Sequence, residues 1–276
     1  MQRRAFVLSV MVLVLAAFGV SVVVGQGGPT NVVIVMDSSG SMRQPVASGQ
    51  LRVDVAKESI AALAAELPAD INVSLWAYGH RLTQDDVAAS CQDIEAIIPL
   101  GPPDAGTIAQ TVYGLDAIGY TPIAATLTQV AATLSPEDQN IIVLMSDGEE
   151  SCGGDPCAVA AALAGQGIDL RVNTIGFAAD AITRQQLQCI ADVTGGTYFD
   201  AADGDALLNS LREASEPETG LIQLVYASGA PADELSFSVV DPTAAALESS
   251  AVGSAAVPAG EYVVRVDTLP VFEAPA

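Results

Sequence analysis

The chain has 276 residues, half of them hydrophobic, and a formal net charge of −23 at pH 7. This length allows one medium-sized domain and a smaller one, with enough apolar residues for a buried core. So acidic a chain does not suit nucleic acid or an anionic membrane surface, because both attract concentrated lysine and arginine. We expect the charge to serve solubility, in salt or outside a cell.

The first 25 residues have the composition of a targeting segment. Arg3 and Arg4 give a basic start, and residues 5–24 are apolar and uncharged. This pattern is typical of a secretory signal peptide. An uncleaved N-terminal anchor is the alternative, since about twenty apolar residues also suffice to span a bilayer. In both cases we expect an extracytoplasmic protein, either secreted or held at the membrane by that anchor.

Export makes disulfides the expected state of the four cysteines. Cys152 and Cys157 bracket a turn-forming Gly-Gly-Asp-Pro stretch, so we predict that they pair with each other. By elimination Cys91 then pairs with Cys189, although sequence alone does not prove the connectivity. A zinc site does not fit, because the chain has one histidine and no Cys-x-x-Cys motif.

The first strand predicted after this segment is the apolar run at residues 32–36, which is short and rich in β-branched residues. Asp37 ends the run, and hydroxyl groups follow at Ser39 and Ser41. Polar groups just beyond a strand lie on the rim where open α/β sheets bind ligands. Carboxylate and hydroxyl oxygens are hard ligands, which suit Mg²⁺, Mn²⁺ or Ca²⁺.

Strands and helices then alternate over residues 28–215. Hydrophobic periodicity predicts strands at residues 32–36, 71–78, 94–100, 141–145, 168–177 and 197–199. It predicts helices at residues 53–67, 121–134, 158–164, 183–194 and 205–214. Thr121 is the expected N-cap of the second helix, and Thr183 with Gln186 forms a capping box for the fourth. The alternation indicates an α/β domain with a parallel sheet covered by helices on both faces.

The pattern changes after a linker at residues 216–220. Residues 221–226, 234–240 and 261–267 alternate with a period of two, and no helical stripe is present. We predict a small antiparallel, β-sandwich-like module at residues 220–276. A module of fewer than about 60 residues is marginal alone, so we expect it to pack on the main domain or to need a further strand.

Further candidate oxygen ligands lie at the ends of two other predicted elements. The strand after residue 140 also ends in polar groups, among them Asp147, and Thr121 at a helix start can reach the same rim. A hard cation takes about six oxygens, so five side chains leave a position for water or an incoming ligand. The predicted ligands are two carboxylates and three hydroxyls, Asp37, Ser39, Ser41, Thr121 and Asp147.

Three motifs that hold these residues resemble the metal-ion-dependent adhesion site of von Willebrand factor type A (vWA) domains. They are Asp-Ser-Ser-Gly-Ser at 37–41, Gly-Tyr-Thr-Pro-Ile at 119–123 and Ser-Asp-Gly-Glu at 146–149. Residues 174–177 and 190–198 are also similar to bacterial secreted members, so the likeness extends over about residues 31–211. Gly119-Tyr120 replaces the frequent Gly-Gly, and the C-terminal module and the cysteines lie outside the general pattern.

The resemblance implies a Rossmann-like, mostly parallel sheet that carries Mg²⁺, or a similar ion, at its carboxyl rim. It also implies that the site binds a protein, and we expect an acidic group of that partner to complete the metal shell. We expect no catalysis, because a nucleophile at Ser39 or Ser41 would need a base and His80 has no evident partner. A metal-dependent hydrolase and a Ca²⁺-stabilised structural surface protein are the alternatives.

Overall fold

The computed structural model describes residues 10–15, 20–25, 29–166, 170–217, 219–226, 236–240, 246–252, 254–258 and 263–266, with side chains in 29–166 and 170–217. The chain divides into two compact units. The main unit is Pro29–Glu216, and the second unit combines Met1–Gly28 with Pro217–Ala276.

The described elements follow one another in this order along the chain. The strands are β1 Val10–Leu15, β2 Val20–Gly25, β3 Thr30–Asp37, β4 Asn72–Tyr78, β5 Ile94–Gly101, β6 Gln139–Ser146, β7 Leu170–Phe177, β8 Tyr198–Ala201, β9 Thr219–Tyr226, β10 Ser236–Val240, β11 Ala246–Val252, β12 Ser254–Pro258 and β13 Val263–Val266. The helices are α1 Arg52–Ala64, α2 Val87–Ser90, α3 Ala105–Tyr113, α4 Ile123–Ala131, α5 Pro156–Ala164, α6 Ala181–Thr194 and α7 Gly204–Ser215.

The main unit is built on one six-stranded sheet in the order β5-β4-β3-β6-β7-β8. Neighbouring strands are parallel except β4 and β5, which form an antiparallel pair at one edge. The predicted α/β fold is therefore confirmed, as a Rossmann-like and mostly parallel sheet. β3 and β6 lie at its centre, and every residue of both strands is buried.

Successive residues of β3 face opposite sides of the sheet, as the pleat of a strand requires. Val32 and Ile34 pack into a core with α1, α3 and α7. Val33 and Val35 pack into a second core with α4, α5 and α6. Helices thus cover both faces, and burying each such aliphatic side chain contributes roughly 1.5–3 kcal/mol. Both faces exclude water, so the ends of the strands are left to carry polar chemistry.

The predicted N-terminal caps of two helices are wrong. α4 begins at Ile123 with Pro122 as its N-cap, so Thr121 lies outside the helix. α6 begins at Ala181, where the carboxylate of Asp180 accepts hydrogen bonds from two backbone amides. An aspartate at this position satisfies amides that the capping box would have served, so the box at Thr183 does not form. The predicted end of α6 is confirmed at Gly195, whose φ of 73° suits a residue without Cβ.

The amino ends of the central strands carry a network of polar side chains, which we call the amino-end network. Asn72 Nδ2 donates to Asn31 Oδ1 at 3.0 Å, and Asn31 Nδ2 donates to Asn140 Oδ1 at 3.0 Å. Asn31 Nδ2 also lies 2.9 Å from Asp138 Oδ2. The network ties β4, β3 and β6 together at the edge opposite the predicted site.

The second unit contains two antiparallel sheets in its described residues, in the orders β1-β2-β9-β12 and β11-β10-β13. β9, β10 and β13 agree with the predicted strands, whereas β1, β2, β11 and β12 were not predicted as strands. The predicted signal peptide or anchor at residues 1–25 lies partly outside the described residues and stays a prediction. Within the described part of the chain, no helix has the length and apolar character to span a membrane.

Candidate functional site

The carboxyl ends of β3 and β6 bring predicted site residues together at the centre of the sheet. Asp37 is the last residue of β3, and the next segment holds Ser39 and, in a short 3-10 helix at Gly40–Arg43, Ser41. Asp147 directly follows β6. Because β3 and β6 are adjacent, parallel and in register, their polar ends lie side by side.

A chain of hydrogen bonds joins these four residues, which we call the rim cluster. Asp37 Oδ1 accepts from the backbone amide of Ser39 at 2.7 Å. The hydroxyls of Ser39 and Ser41 lie 2.9 Å apart. Ser41 Oγ donates to Asp147 Oδ1 at 2.6 Å. Asp37 and Asp147 are both buried, so the cluster places two carboxylates in a small volume away from water.

Backbone contacts bring the segment that contains Thr121 to the same rim. Ser39 and Gly119 form an isolated parallel bridge, and the amide of Gly40 donates to Gly119 O at 2.9 Å. A Cβ at Gly119 would lie 2.5 Å from the Cα of Gly79, so a side chain there would force the loops apart. Glycine at this position therefore keeps residues 119–121 beside the Ser39 loop.

Two serines hold the other side of this segment. The amide of Tyr120 donates to Ser90 Oγ at 3.0 Å, and the amide of Thr121 donates to Ser151 Oγ at 2.8 Å. Ser151 N donates back to Thr121 O at 3.0 Å. The backbone at Thr121 is thus fixed from both flanks.

The predicted disulfide pairing is wrong. The bonds are Cys91–Cys152 and Cys157–Cys189, with Cα atoms 5.6 and 5.7 Å apart, rather than Cys152–Cys157 and Cys91–Cys189. The residues between Cys152 and Cys157 start a helix instead of closing a turn: Asp155 caps α5 and Pro156 is its first residue. Cys157 therefore lies on α5 next to α6, while Cys152 stays in the loop beside Cys91.

The Cys91–Cys152 bond lies next to the two serine contacts that hold the Thr121 segment. Cys91 is the neighbour of Ser90, and Cys152 is the neighbour of Ser151. The bond therefore links the two serines that hold the Thr121 segment.

Glu150 makes contacts that the sequence did not indicate. In the sequence, Glu149 and Glu150 read as a solvated acidic pair, and Glu149 is exposed. Glu150 Oε2 instead accepts from the amide of Ala124 at 2.8 Å, and its Oε1 accepts from the amide of Cys152 at 2.8 Å. Glu150 thus supplies the helix cap that we had assigned to Thr121, which leaves the threonine side chain without that structural role.

The electrostatics of the rim cluster fit a cation. Burial, together with the negative charge of Asp147, raises the pKa of Asp37 to about 6, although hydrogen bonds from Ser146 and Ser39 act in the opposite direction. Asp147 Oδ2 accepts from Arg52 Nη1 at 2.7 Å. The described residues hold no group of three or more His, Cys, Asp and Glu arranged for a metal. A cation here would therefore depend on the hydroxyls as well as on the two carboxylates.

Two contributors to the cluster were missed. Ser146 Oγ donates to Asp37 Oδ2 at 2.5 Å, and Arg52 pairs with Asp147. Ser146 precedes Asp147 at a strand end, a position that could have drawn attention to it. Arg52 is the first residue of α1, where the helix dipole disfavours a cation. An arginine at that position signals a specific acidic partner.

Comparisons with known proteins agree with this architecture. Residues 32–150 match the von Willebrand factor type A domain family. The chain is 35% identical over 181 residues to YwmD, an uncharacterised protein of Bacillus subtilis (strain 168), covering 64% of this chain and 80% of that protein. The chain carries a vWA domain and belongs to the family of YwmD.

Solved structures share the fold of the vWA domain. A von Willebrand factor type A protein from Catenulispora acidiphila is 18% identical with a TM-score of 0.53, over 87% of this chain and 56% of that chain. The pilus adhesin SpaC from Lactobacillus rhamnosus GG is 16% identical with a TM-score of 0.52, over 93% of this chain and 43% of that chain. At such identities the similarity shows the fold alone.

Proposed function

We propose that the vWA domain binds a protein partner through a divalent cation held at the carboxyl rim, and that it does so without catalysis. The observation that carries the proposal is the rim cluster, in which two buried carboxylates are joined by serine hydroxyls at the end of the central strands. Mg²⁺ suits this hard oxygen set, with Mn²⁺ or Ca²⁺ as alternatives.

Each proposed ligand has a defined support. Asp37 would contribute a carboxylate oriented by the amide of Ser39 and the hydroxyl of Ser146. Asp147 is oriented by Ser41 and Arg52. Ser39, Ser41 and Thr121 would add neutral hydroxyl oxygens. When bound, the ion offsets the two negative charges and offers a position to an acidic group of the partner.

The comparisons support binding as the role of this fold. SpaC is a pilus adhesin, so the vWA architecture also occurs in an adhesin. This is an analogy of fold, and the site carries the proposal for this chain. The two disulfides fit an oxidising, extracytoplasmic compartment, in agreement with the predicted leader.

Calorimetric titration tests the cation site directly. Mg²⁺, Mn²⁺ and Ca²⁺ are titrated into the wild type and the Asp37→Ala variant, with Asp205→Ala as a matched control. Asp205 is an exposed aspartate in the first turn of α7. We expect binding by the wild type and the control and none by Asp37→Ala. Equal binding by all three proteins would refute the assignment.

A capture experiment separates binding from the hydrolase alternative. The immobilised domain is exposed to a preparation of the native cell surface with Mg²⁺ and then with a chelator, and a hydrolase substrate panel is run in parallel. We expect protein capture that the chelator abolishes, and no turnover. Turnover that requires the metal would favour the enzyme.

A further inference from the structure

We propose that Arg52 sets the net charge of the ion-loaded rim cluster and thereby makes the site select anionic ligands. The inference rests on the proposed cation binding and concerns a residue outside the predicted ligand set. It assigns Arg52 a role in ligand specificity rather than in holding the ion.

Arg52 is held against the cluster by its place in the fold. Its amide donates to Gln44 O at 2.9 Å, and the buried side chain of the next residue, Val53, anchors α1 in the core. Its guanidinium lies 2.7 Å from Asp147, with 18% of the Arg52 side chain and 0% of the Asp147 side chain exposed. The ion pair is therefore a part of the buried site and not a solvated surface contact.

Local structure does not explain a cation at this position. Arg52 opens α1, and the helix dipole makes the first turn unfavourable for a positive charge. Arg52 Nε is also buried and has no hydrogen-bond partner among the described residues. The guanidinium thus has a buried N–H donor in addition to its bond to Asp147. A buried donor without an acceptor costs free energy unless a ligand of the site accepts its hydrogen bond.

The charges of the cluster lead to a specific consequence. The carboxylates of Asp37 and Asp147 and the guanidinium of Arg52 together leave one net negative charge. A divalent ion changes this to one net positive charge, which attracts an anion. Without Arg52 the loaded cluster would be neutral. Arg52 should therefore weaken cation binding by repulsion and strengthen the binding of a carboxylate to the loaded site.

These opposite effects separate a charge role from a structural one. If Arg52 only kept Asp147 in place, its replacement would weaken the binding of both ion and anion. If it sets the charge, Arg52→Gln should bind the cation roughly tenfold more tightly and a carboxylate about threefold more weakly. Arg52→Lys keeps the charge and should stay within about twofold of the wild type for both.

The test uses Mn²⁺ as the ion and acetate as the anion. The affinity for Mn²⁺ is measured from the electron paramagnetic resonance signal of the free ion. Acetate binding is measured from the broadening of its methyl proton signal by the bound Mn²⁺. The control is Arg43→Gln, which removes an exposed positive charge from the loop that contains Ser41 and should change both affinities by less than about twofold.

Tighter Mn²⁺ binding with weaker acetate binding in Arg52→Gln supports the proposal. Weaker binding of both, or no change in either, overturns it. If the glutamine variant does not fold, a loss of acetate binding in Arg52→Lys overturns it and retention supports it. If the wild type binds no Mn²⁺, the proposed function falls as well, so the two failures are distinguishable.

Discussion

The two ends of β3 and β6 bury polar side chains in different ways. At the amino ends, the buried side chains of Asn31 and Asn140 are neutral amides that meet donor to acceptor, and the carboxylate of Asp138 beside them is only half-buried. At the carboxyl ends, Asp37 and Asp147 bring negative charge into a buried site. Both ends are hydrogen-bonded, but only the amino-end network pairs its buried groups without net charge. We therefore expect a cation to bind where negative charge is buried in excess, and not where the buried polar groups are neutral.

The strongest test of this difference removes the charge and keeps the shape. Asp37→Asn should lower the affinity for Mg²⁺ at least about 100-fold, because an amide cannot offset the charge of the ion. The same change should raise the free energy of unfolding of the metal-free protein at pH 7 by roughly 1–3 kcal/mol, since burial disfavours the carboxylate. Calorimetric titration and urea unfolding measure the two effects. A variant less stable than the metal-free wild type would contradict the electrostatic account.

The pH dependence should follow the same carboxylate. The pKa of Asp37 is raised to about 6, so the folded metal-free protein holds more protons than the unfolded chain between about pH 4 and 6. Its stability should fall as the pH rises through this window, while its affinity for Mg²⁺ should rise about tenfold from pH 5 to pH 7. Titrations and thermal unfolding at pH 5, 6 and 7 check both trends. Asp37→Asn is the control and should lose the stability trend.

Cys91–Cys152 lies next to the Thr121 segment and Cys157–Cys189 joins two helices, so the effects of removing each disulfide can be compared. Removing Cys91–Cys152 by double serine substitution should weaken Mg²⁺ binding about fivefold, because Ser90 and Ser151 then hold that segment less firmly. Removing Cys157–Cys189, which joins α5 to α6, should leave the affinity within about twofold. Both variants should lose roughly 2–4 kcal/mol of stability. Equal affinities in both variants would show that the first bond does not position Thr121.

The smallest effect on cation binding is expected at the amino-end network. Asn31→Ala removes the acceptor of Asn72 Nδ2 and the donor to Asn140 Oδ1, and it should cost about 1–3 kcal/mol of stability. The affinity for Mg²⁺ should change by less than about twofold. Urea unfolding and titration of the same sample separate the two effects. A large loss of affinity would show that the two ends of the strands are coupled.

Much of this fold could be predicted because its signals are local. The β-branched runs of β3 and β6 predict buried strands, and the polar residues that follow them predict a rim. α3 escaped prediction because its sequence contains a glycine and two threonines, which have low helix propensity. β11 and β12 were not predicted either, since short strands rich in Ala and Ser give little periodic hydrophobic signal.

The parts that could not be predicted depend on residues far apart in sequence. Arg52 and Asp147 are 95 residues apart and come together only where the start of α1 meets the end of β6 in the fold. The disulfides depend on whether Cys157 lies in a turn or on a helix, and Asp155 and Pro156 decide for the helix. Motif spacing thus pointed to the candidate oxygen ligands, while the charge balance around them became visible only in the fold.

A diffraction experiment with Mn²⁺ tests the central claim most directly. Crystals of the domain are grown with Mn²⁺, and the ion is located by its anomalous scattering. The account predicts one strong peak at the carboxyl rim, within about 2.0–2.6 Å of oxygens of the proposed ligands Asp37, Ser39, Ser41, Thr121 and Asp147, with a coordination position open to solvent or to a carboxylate. Crystals grown with saturating Mn²⁺ that show no anomalous peak at this rim, or a peak only elsewhere, would contradict the account.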